Sequence, residues 1–366
     1  MQLPLVSRLK ALSKKTPPAR VVRAVDSVRN RVGRVHQKMV PPGIALLEMA
    51  TSFWLSQAIY VAAELRVADH LQGGAKSVDQ LAQLTGSRPD MLYRVLRALA
   101  SHGIFFEIED RKFEQTALSN AMSSNAPGSM RDMIRYQGGF NWAHWGELIH
   151  SVRTGETAAS KVRGMSMWDF LEKNPEHSTT FNGAMTGISD LAILPILDSG
   201  YDFGAHGLIV DVGGGTGKLL ASILDRYPAV SGLLYDLPHV VRDAKVPKDR
   251  CRIEGGSFLE KVPAGGDAYL MKHILHDWEE SKCVQILSNI RKVIGKDAKL
   301  LVLENVVPEG NQPHFSKLLD LEMMVVVGGR ERTLSGYAEL FAKGGFELER
   351  VVPTATPGSI LVARPI

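Results

Sequence analysis

Beyond residue 207 the chain alternates short apolar runs with amphipathic stretches. GLIVDV, SGLLYD, DAYLMK and AKLLVLEN are the apolar runs. The helical segments between them give the rhythm of a parallel α/β sheet. FELERVV and SILVARP, parted by TPG, predict an antiparallel pair at one edge of that sheet. Earlier in the chain the period is helical. Residues 44–71 predict helices with a broad apolar face (Leu47, Ala50, Trp54, Leu55, Ala58, Ala62, Leu65). In SVDQLAQLTG, Ser77 and Gln80 have capping-box spacing, so a helix starts at Ser77, and Gly86 ends it. A second helix opens at Pro89, with Leu92, Val95, Leu96 and Leu99 on one buried face. IFFEI and RKFEQT then read as two strands around a turn at Glu109–Asp110. Helix, turn, helix, hairpin is a winged-helix order. Residues 120 to about 200 read as helical and rich in large apolar side chains.

At 366 residues the chain has room for two domains. The pattern divides it into an arm over 1–40, a winged-helix part over 41–120, a helical segment over 121–200 and the α/β part over 201–366. The most apolar helical stretch, 43–65, is interrupted by Glu48, Gln57 and Glu64, which argues against a membrane span. Two cysteines, Cys251 and Cys283, give neither a disulfide framework nor metal-ligand spacing, and a reducing cytoplasm suits them. Charge is uneven. The arm holds ten Lys/Arg against Asp26 alone, so it carries +9 and leaves −5 for the rest of a chain whose net charge is +4. Such an arm could meet acidic lipid or nucleic acid; a solvated or dimer-wrapping extension is the simpler reading.

LIVDVGGGTGKLL raises the question of a ligand. Gly217–Lys218 is followed by Leu219 and preceded five residues earlier by Val212, so the triphosphate loop G-x-x-x-x-G-K-[ST] fails at both ends. Gly213 and Gly215 begin a dinucleotide fingerprint, but its third small position is Lys218. What remains is Asp211, Gly213, Gly215 and Gly217, with Asp236 at the end of the next apolar run. Asp211 can accept from an ammonium group and Asp236 from ribose hydroxyls. The pattern suits an adenosine that carries an amino acid, S-adenosylmethionine, rather than a diphosphate. A glycine turn serving packing alone is the plainer alternative.

From residue 45 to the end the sequence closely resembles the small-molecule O-methyltransferases, the plant phenylpropanoid and flavonoid enzymes and the bacterial polyketide-tailoring ones. FNGAMTGIS, LIVDVGGGTG, YDLPHV, MKHILHDW and GGRERT carry the likeness in order; the basic arm lies outside it. The resemblance implies a class I, Rossmann-like methyltransferase domain with a seven-stranded sheet and an N-terminal, mainly α winged-helix domain that forms a homodimer. It implies S-adenosylmethionine as donor and S-adenosylhomocysteine as product. It makes His276 the general base, with Glu304 and Glu331 orienting it. Leu237 in YDLPHV, Ser257 and Phe258 at the adenine, and Lys272 beside the cofactor join the donor site. Family members often have Asp where this chain has Ser257, which implies a weaker hold on the adenine. Tyr136, Trp142, Trp145, Phe181, Met185, Ile188, Met323 and Val327 would line a flat pocket for an aromatic acceptor, about half of them serving only as core.

The chemistry of these residues agrees. A phenol becomes a good nucleophile once its proton leaves, and an imidazole with an ordinary pKa near 6.5 can take it. Taken alone, His276 would be a helix-start histidine packed in a crevice, Glu304 a solvated strand-end acid and Glu331 a surface partner of Arg330 or Arg332. His273 and His276 form an HxxH pair with no third donor in view, so no metal is expected. Two other functions are weighed. A winged helix can read DNA, with Arg88, Arg94 and Arg97 available, but the body is acidic and no nucleic-acid partner is expected. Some relatives bind the same cofactor for hydroxylation or decarboxylation; the intact His276, Glu304 and Glu331 set argues for methyl transfer.

Overall fold

A computed structural model describes residues 16–366, so Arg8, Lys10, Lys14 and Lys15 of the arm lie outside the described residues. The chain forms two compact units, residues 32–191 and residues 192–366 together with the start of the chain through Arg31. Helix α1 (Ala19–Lys38) runs across that division.

In the helical unit, α2 (Pro42–Thr51) and α3 (Phe53–Glu64) are followed by α4 (Val78–Thr85), α5 (Pro89–Ser101) and a small sheet of β1 (Lys76–Ser77), β2 (Phe105–Glu109) and β3 (Lys112–Gln115). The capping box forms: Gln80 N–H donates to Ser77 Oγ at 3.2 Å, and Ser77 N–H donates to Gln80 Oε1 at 2.9 Å. Gly86, at φ 64°, ends the helix. Leu92, Leu96 and Leu99 meet Val78, Leu81, Phe105 and Phe113 in one core, with Val95 at its rim. The hairpin turns one residue later than expected, at Asp110–Arg111, because Glu107 Oε1 accepts the Arg111 N–H and the register shifts between Glu107 and Glu109.

The apolar face expected of residues 44–71 is only partly buried. Ala62 and Ala63 enter the core, whereas Leu47 and Trp54 are 58% and 66% exposed. Residues 42–64 and 175–197 are also long and apolar enough to count as candidate spans, so the polar interruptions do not by themselves exclude one. The first is broken at Ser52 into α2 and α3.

In the second unit, β4 (Leu208–Val212), β5 (Ser231–Asp236), β6 (Cys251–Gly255), β7 (Ala268–Lys272), β8 (Lys299–Asn305), β9 (Phe346–Pro353) and β10 (Gly358–Pro365) form one sheet in the order β6-β5-β4-β7-β8-β10-β9. The first five are parallel, and β10 runs antiparallel to both β8 and β9. Each face is covered. Helices α7 (Glu280–Arg291) and α8 (Leu334–Lys343) bury Cys283, Ile286, Leu287, Tyr337 and Phe341 on one side. Helix α6 (Lys218–Arg226) buries Leu219, Leu220, Ile223 and Leu224 on the other. Burial on both faces explains the unbroken apolar runs of β4, β5, β7 and β8. Chain order reverses between β4 and β7, and there the carboxyl ends of strands open a crevice.

The capping box yields a prediction for the helical unit. Ser77→Ala should lower its stability by about 1 kcal/mol, read as a lower urea midpoint for that unit; an unmoved midpoint would show that the cap is dispensable.

Candidate active site

At the carboxyl end of β4 the backbone bends through Gly213, Gly215 and Gly217, at φ 72°, 61° and 80°, all in the left-handed region that side chains disfavour. A Cβ on Gly213 would meet Ile274 and Phe258, whereas one on Gly215 would meet open space, which leaves the backbone approachable at that residue. Asp236, at the end of β5, is tied to the same bend: Gly215 N–H donates to its Oδ2 at 2.8 Å and Leu237 N–H to its Oδ1 at 2.7 Å. Each carboxylate oxygen keeps a lone pair for a further donor. Leu237 thus serves through its amide; its side chain is exposed.

Asp211 is buried beneath the loop, and burial pushes its pKa up to about 7 against the pull of Lys272. Burial likewise holds Lys272 below the usual lysine range, against the opposing charges of Asp211 and Glu304. Both strand-end charges therefore sit in an environment that favours a charged partner. Phe258 lies beside Gly213 and packs edge-on to Trp278 at 6.1 Å. Its neighbour Ser257 accepts the Leu259 N–H at 3.3 Å, and Asn289 donates to the Phe258 and Leu259 carbonyls, so the turn is pinned.

The second cluster lies past β7. His276 sits in a short 3₁₀ turn, Leu275–Asp277, and is buried. Its Nδ1 is 2.8 Å from Glu331 Oε1 and 3.7 Å from Glu304 Oε2, and its Nε2 is 3.5 Å from Asp277 Oδ1. Glu304, on β8, is fully buried, and its Oε1 accepts the N–H groups of Ile274 and Leu275 at 3.1 and 2.9 Å. Neither acid is the surface group that its sequence position allowed. Burial opposes charge on the imidazole, yet Glu304, Asp277 and Glu331 outweigh it and raise His276 to about 10. This departs from the ordinary imidazole expected from sequence. Burial also works against ionising Glu304, but His276, His273 and the amides win and lower its pKa. Glu331 is raised, by burial first, with Glu304 adding to it.

Three supporting residues went unread in the sequence. Arg332 is buried and donates to the Leu275 carbonyl at 3.0 Å. Cys283 donates to the same carbonyl at 3.1 Å, so guanidinium and thiol together fix the turn that carries His276. Gly329 lies against the His276–Asp277 backbone so closely that a Cβ there would force it aside. The only early signal was that all three fall in or beside the motifs that carry His276 and Glu331.

The HxxH pair does find a third donor: His273, His276 and Glu304 offer ligand atoms all within 4.8 Å of one another. Nδ1 of His276 already bonds Glu331, and burial with the adjacent Lys272 pushes His273 down to about 4.

Residues expected at an acceptor fall on both units. In the helical unit Tyr136 is buried, edge-on to Phe140 and Phe181 at 5.1 and 5.4 Å, and Trp168, absent from the expected set, packs on Phe181 at 6.2 Å. Trp142 leans on Phe53, Met185 is partly exposed, and Trp145 and Ile188 are half-buried. In the sheet unit Met323 is buried and Val327 half-buried. Tyr136 and Met323 are core side chains.

Residues 145–347 match the O-methyltransferase domain, and residues 47–125 match the O-methyltransferase dimerisation domain. A phenazine O-methyltransferase of Lysobacter antibioticus is 41% identical over 343 residues, 92% of this chain and 99% of its own length. A mitomycin biosynthesis 6-O-methyltransferase of Streptomyces lavendulae is 38% identical over 82% of this chain and 88% of its own. Among solved structures, LaPhzM aligns with a TM-score of 0.85 at 41% identity, covering 89% of this chain and 100% of its own. CalO1, a methyltransferase of calicheamicin biosynthesis solved with S-adenosylhomocysteine bound, aligns with a TM-score of 0.79 at 33% identity, covering 89% and 98%.

The carboxylates around His276 give a direct test. Removing one anion destabilises the imidazolium, so Glu331→Gln should lower the His276 pKa by about 1 to 3 pH units, followed by NMR titration of the ring. A titration unchanged by the substitution would mean that Glu331 does not set the charge of the imidazole.

Proposed function

This chain belongs to the O-methyltransferase family, and from that premise we propose that His276, gripped by Glu331 and Glu304, takes the proton from an aromatic hydroxyl while it is methylated. The chain is an S-adenosylmethionine-dependent O-methyltransferase that acts on aromatic small molecules. One observation carries the assignment of the base: the 2.8 Å bond from His276 Nδ1 to Glu331 commits that nitrogen and leaves Nε2 to accept a proton.

S-adenosylmethionine, when bound, supplies an electrophilic methyl carbon and leaves as S-adenosylhomocysteine. The residues present fit it. Asp211 would face the ammonium group and Asp236 the ribose hydroxyls. Gly213, Gly215 and Gly217 would let the backbone approach, Phe258 would cover the adenine beside Ser257, and Lys272 would lie near Asp211. No triphosphate cradle competes with this reading, since the loop lacks its Lys-Ser/Thr end.

The elevated pKa of His276 has a chemical use. A phenol has a pKa near 10, so proton transfer between it and an imidazole of matching basicity is close to balanced. Glu304, Glu331 and Asp277 stabilise the imidazolium that results, and the oxygen is left negative beside it. Below pH 10 the resting ring is largely charged, so only the neutral fraction takes the hydroxyl's proton, and that fraction grows with pH. Activity should therefore still be climbing at pH 8. Positioning of oxygen against methyl carbon, about 3 Å apart and in line, would supply most of the rate. The acceptor is a hydrophobic phenol. The exposed apolar face of α2 and α3 supports a homodimer through the dimerisation domain.

Two measurements test these roles. His276→Ala should cut turnover at least about 10²-fold, the size of a general-base contribution, while calorimetric affinity for S-adenosylhomocysteine persists; unchanged turnover would remove His276 from the chemistry. Binding of the donor's ammonium favours ionised Asp211, which at about 7 is partly protonated in the free protein. Affinity should thus weaken as pH falls from 7 toward 5, with proton release on binding that Asp211→Asn abolishes. A pH-independent affinity would refute that contact.

A further inference from the structure

Strand β7 ends at Lys272, and the chain turns away through His273 at φ 54°, in the left-handed region that residues other than glycine avoid. The His273 N–H donates to the Leu303 carbonyl at 3.0 Å, which sets the ring beside Glu304, the next residue of β8. His273 Nδ1 lies 3.6 Å from Glu304 Oε2, and both atoms are buried without a hydrogen-bond partner. Glu331 Oε2 is a third such atom, out of five among the described residues. Buried polar atoms are satisfied as a rule, so three unpaired ones around a single imidazole mark a place for an occupant. We propose that this place is a site for one divalent transition-metal ion of the zinc class, ligated by His273, His276 and Glu304, and that the ion inhibits methyl transfer when it binds. The inhibition rests on the reading of His276 as the base.

The donor set fits such an ion. The ligand atoms of the three residues all lie within 4.8 Å of one another, and His276 Nδ1 is 3.7 Å from the same Glu304 oxygen. Zinc holds nitrogen and oxygen donors at about 2.0 to 2.2 Å in a tetrahedron, which puts neighbouring donors roughly 3.4 Å apart. Both pairs that include Glu304 therefore need to close by only a few tenths of an ångström. Two imidazoles and a carboxylate select zinc or cobalt over calcium and magnesium, which take oxygen donors. Glu331 Oε1, 2.8 Å from His276 Nδ1, brings a second carboxylate to the ion. Three acids, Glu304, Glu331 and Asp277, surround the histidines against Lys272 alone, so a double positive charge is welcome there. The His273 side chain is 30% exposed, which gives the ion a way in. As the ion binds, the charged His276 ring loses its Nδ1 proton to solvent and keeps the one on Nε2. Nε2 then has no lone pair with which to accept a proton from a hydroxyl.

The test uses the full chain, stripped of metal with EDTA, as wild type and as two variants. His273→Asn removes the imidazole with a residue at ease in the left-handed region, and His273→Gln removes it with an amide of similar reach. Co²⁺ is titrated by visible absorption, and Zn²⁺ by thermal unfolding and by turnover, each turnover series scaled to the same protein's metal-free rate. Wild type should show the visible bands of low-coordinate Co²⁺ at one ion per chain. Its melting temperature should rise with Zn²⁺, and its turnover should fall over the same Zn²⁺ range. The variants should need at least about tenfold more metal for all three effects, since even an outer-shell partner is worth that much; either one with wild-type circular dichroism serves. Equal metal requirements in variant and wild type, or no Co²⁺ bands in wild type, overturn the site and leave the three atoms to water. Zn²⁺ that saturates wild type through His273 yet leaves turnover intact overturns the inhibition, and with it His276 as base, while the site itself stands.

Discussion

A charged imidazole buried among carboxylates is the constraint around which the sheet unit is arranged. An ion taken out of water without partners costs several kcal/mol, so it persists only where opposite charges and hydrogen bonds surround it. His276 has all of these: Glu331 at 2.8 Å, Glu304 and Asp277 slightly farther away, and a turn held by Arg332 and Cys283. Glu304 in turn is tolerated in the core because two backbone amides and the imidazole share its charge. Neither residue is stable there without the other. The same burial that makes the pair expensive makes its fields strong.

The fold's share is to bring distant segments to one sheet edge. Lys272 stands opposite Leu303 in the parallel register of β7 and β8, which places Glu304 beside the turn after β7. Glu331 arrives from a loop 55 residues beyond His276, and Gly329 lets that loop touch the turn's backbone. On the neighbouring strands the left-handed glycines do comparable service. They let the loop after β4 fold back so that the Gly215 amide orients Asp236 from β5. The glycine bend with its two acids and the His276 cluster thus share the switch point between β4 and β7.

Much of this was legible in the chain because it is local. The capping box at Ser77, the buried face of Leu92, Leu96 and Leu99, and the terminal antiparallel pair all follow from spacing within a few residues. The glycine bend and its two acids were readable for the same reason. What escaped depends on segments far apart in sequence. Arg332 and Cys283 look like an ordinary surface charge and an isolated thiol until the loop and α7 converge on one carbonyl. The apolar face of residues 44–71 predicted burial, yet Leu47 and Trp54 are exposed, because periodicity records that a face is meant to be covered and is silent on whether the cover lies in the same chain.

His273 and His276 show how far composition falls short of electrostatics. They lie three residues apart, their rings 5.2 Å from each other, and both are close to Glu304. One is pushed down to about 4 and the other up to about 10. Desolvation acts on both in the same direction, so it cannot separate them. The difference comes from the remaining neighbours: Lys272 bears on His273, whereas Glu331 and Asp277 bear on His276. Two like charges so close would also repel, so the proton that the cluster can hold settles on the ring with more acids around it. A shared carboxylate is therefore flanked by one histidine held neutral and one held charged. That choice is made by β8 and the 331 loop rather than by the HxxH spacing.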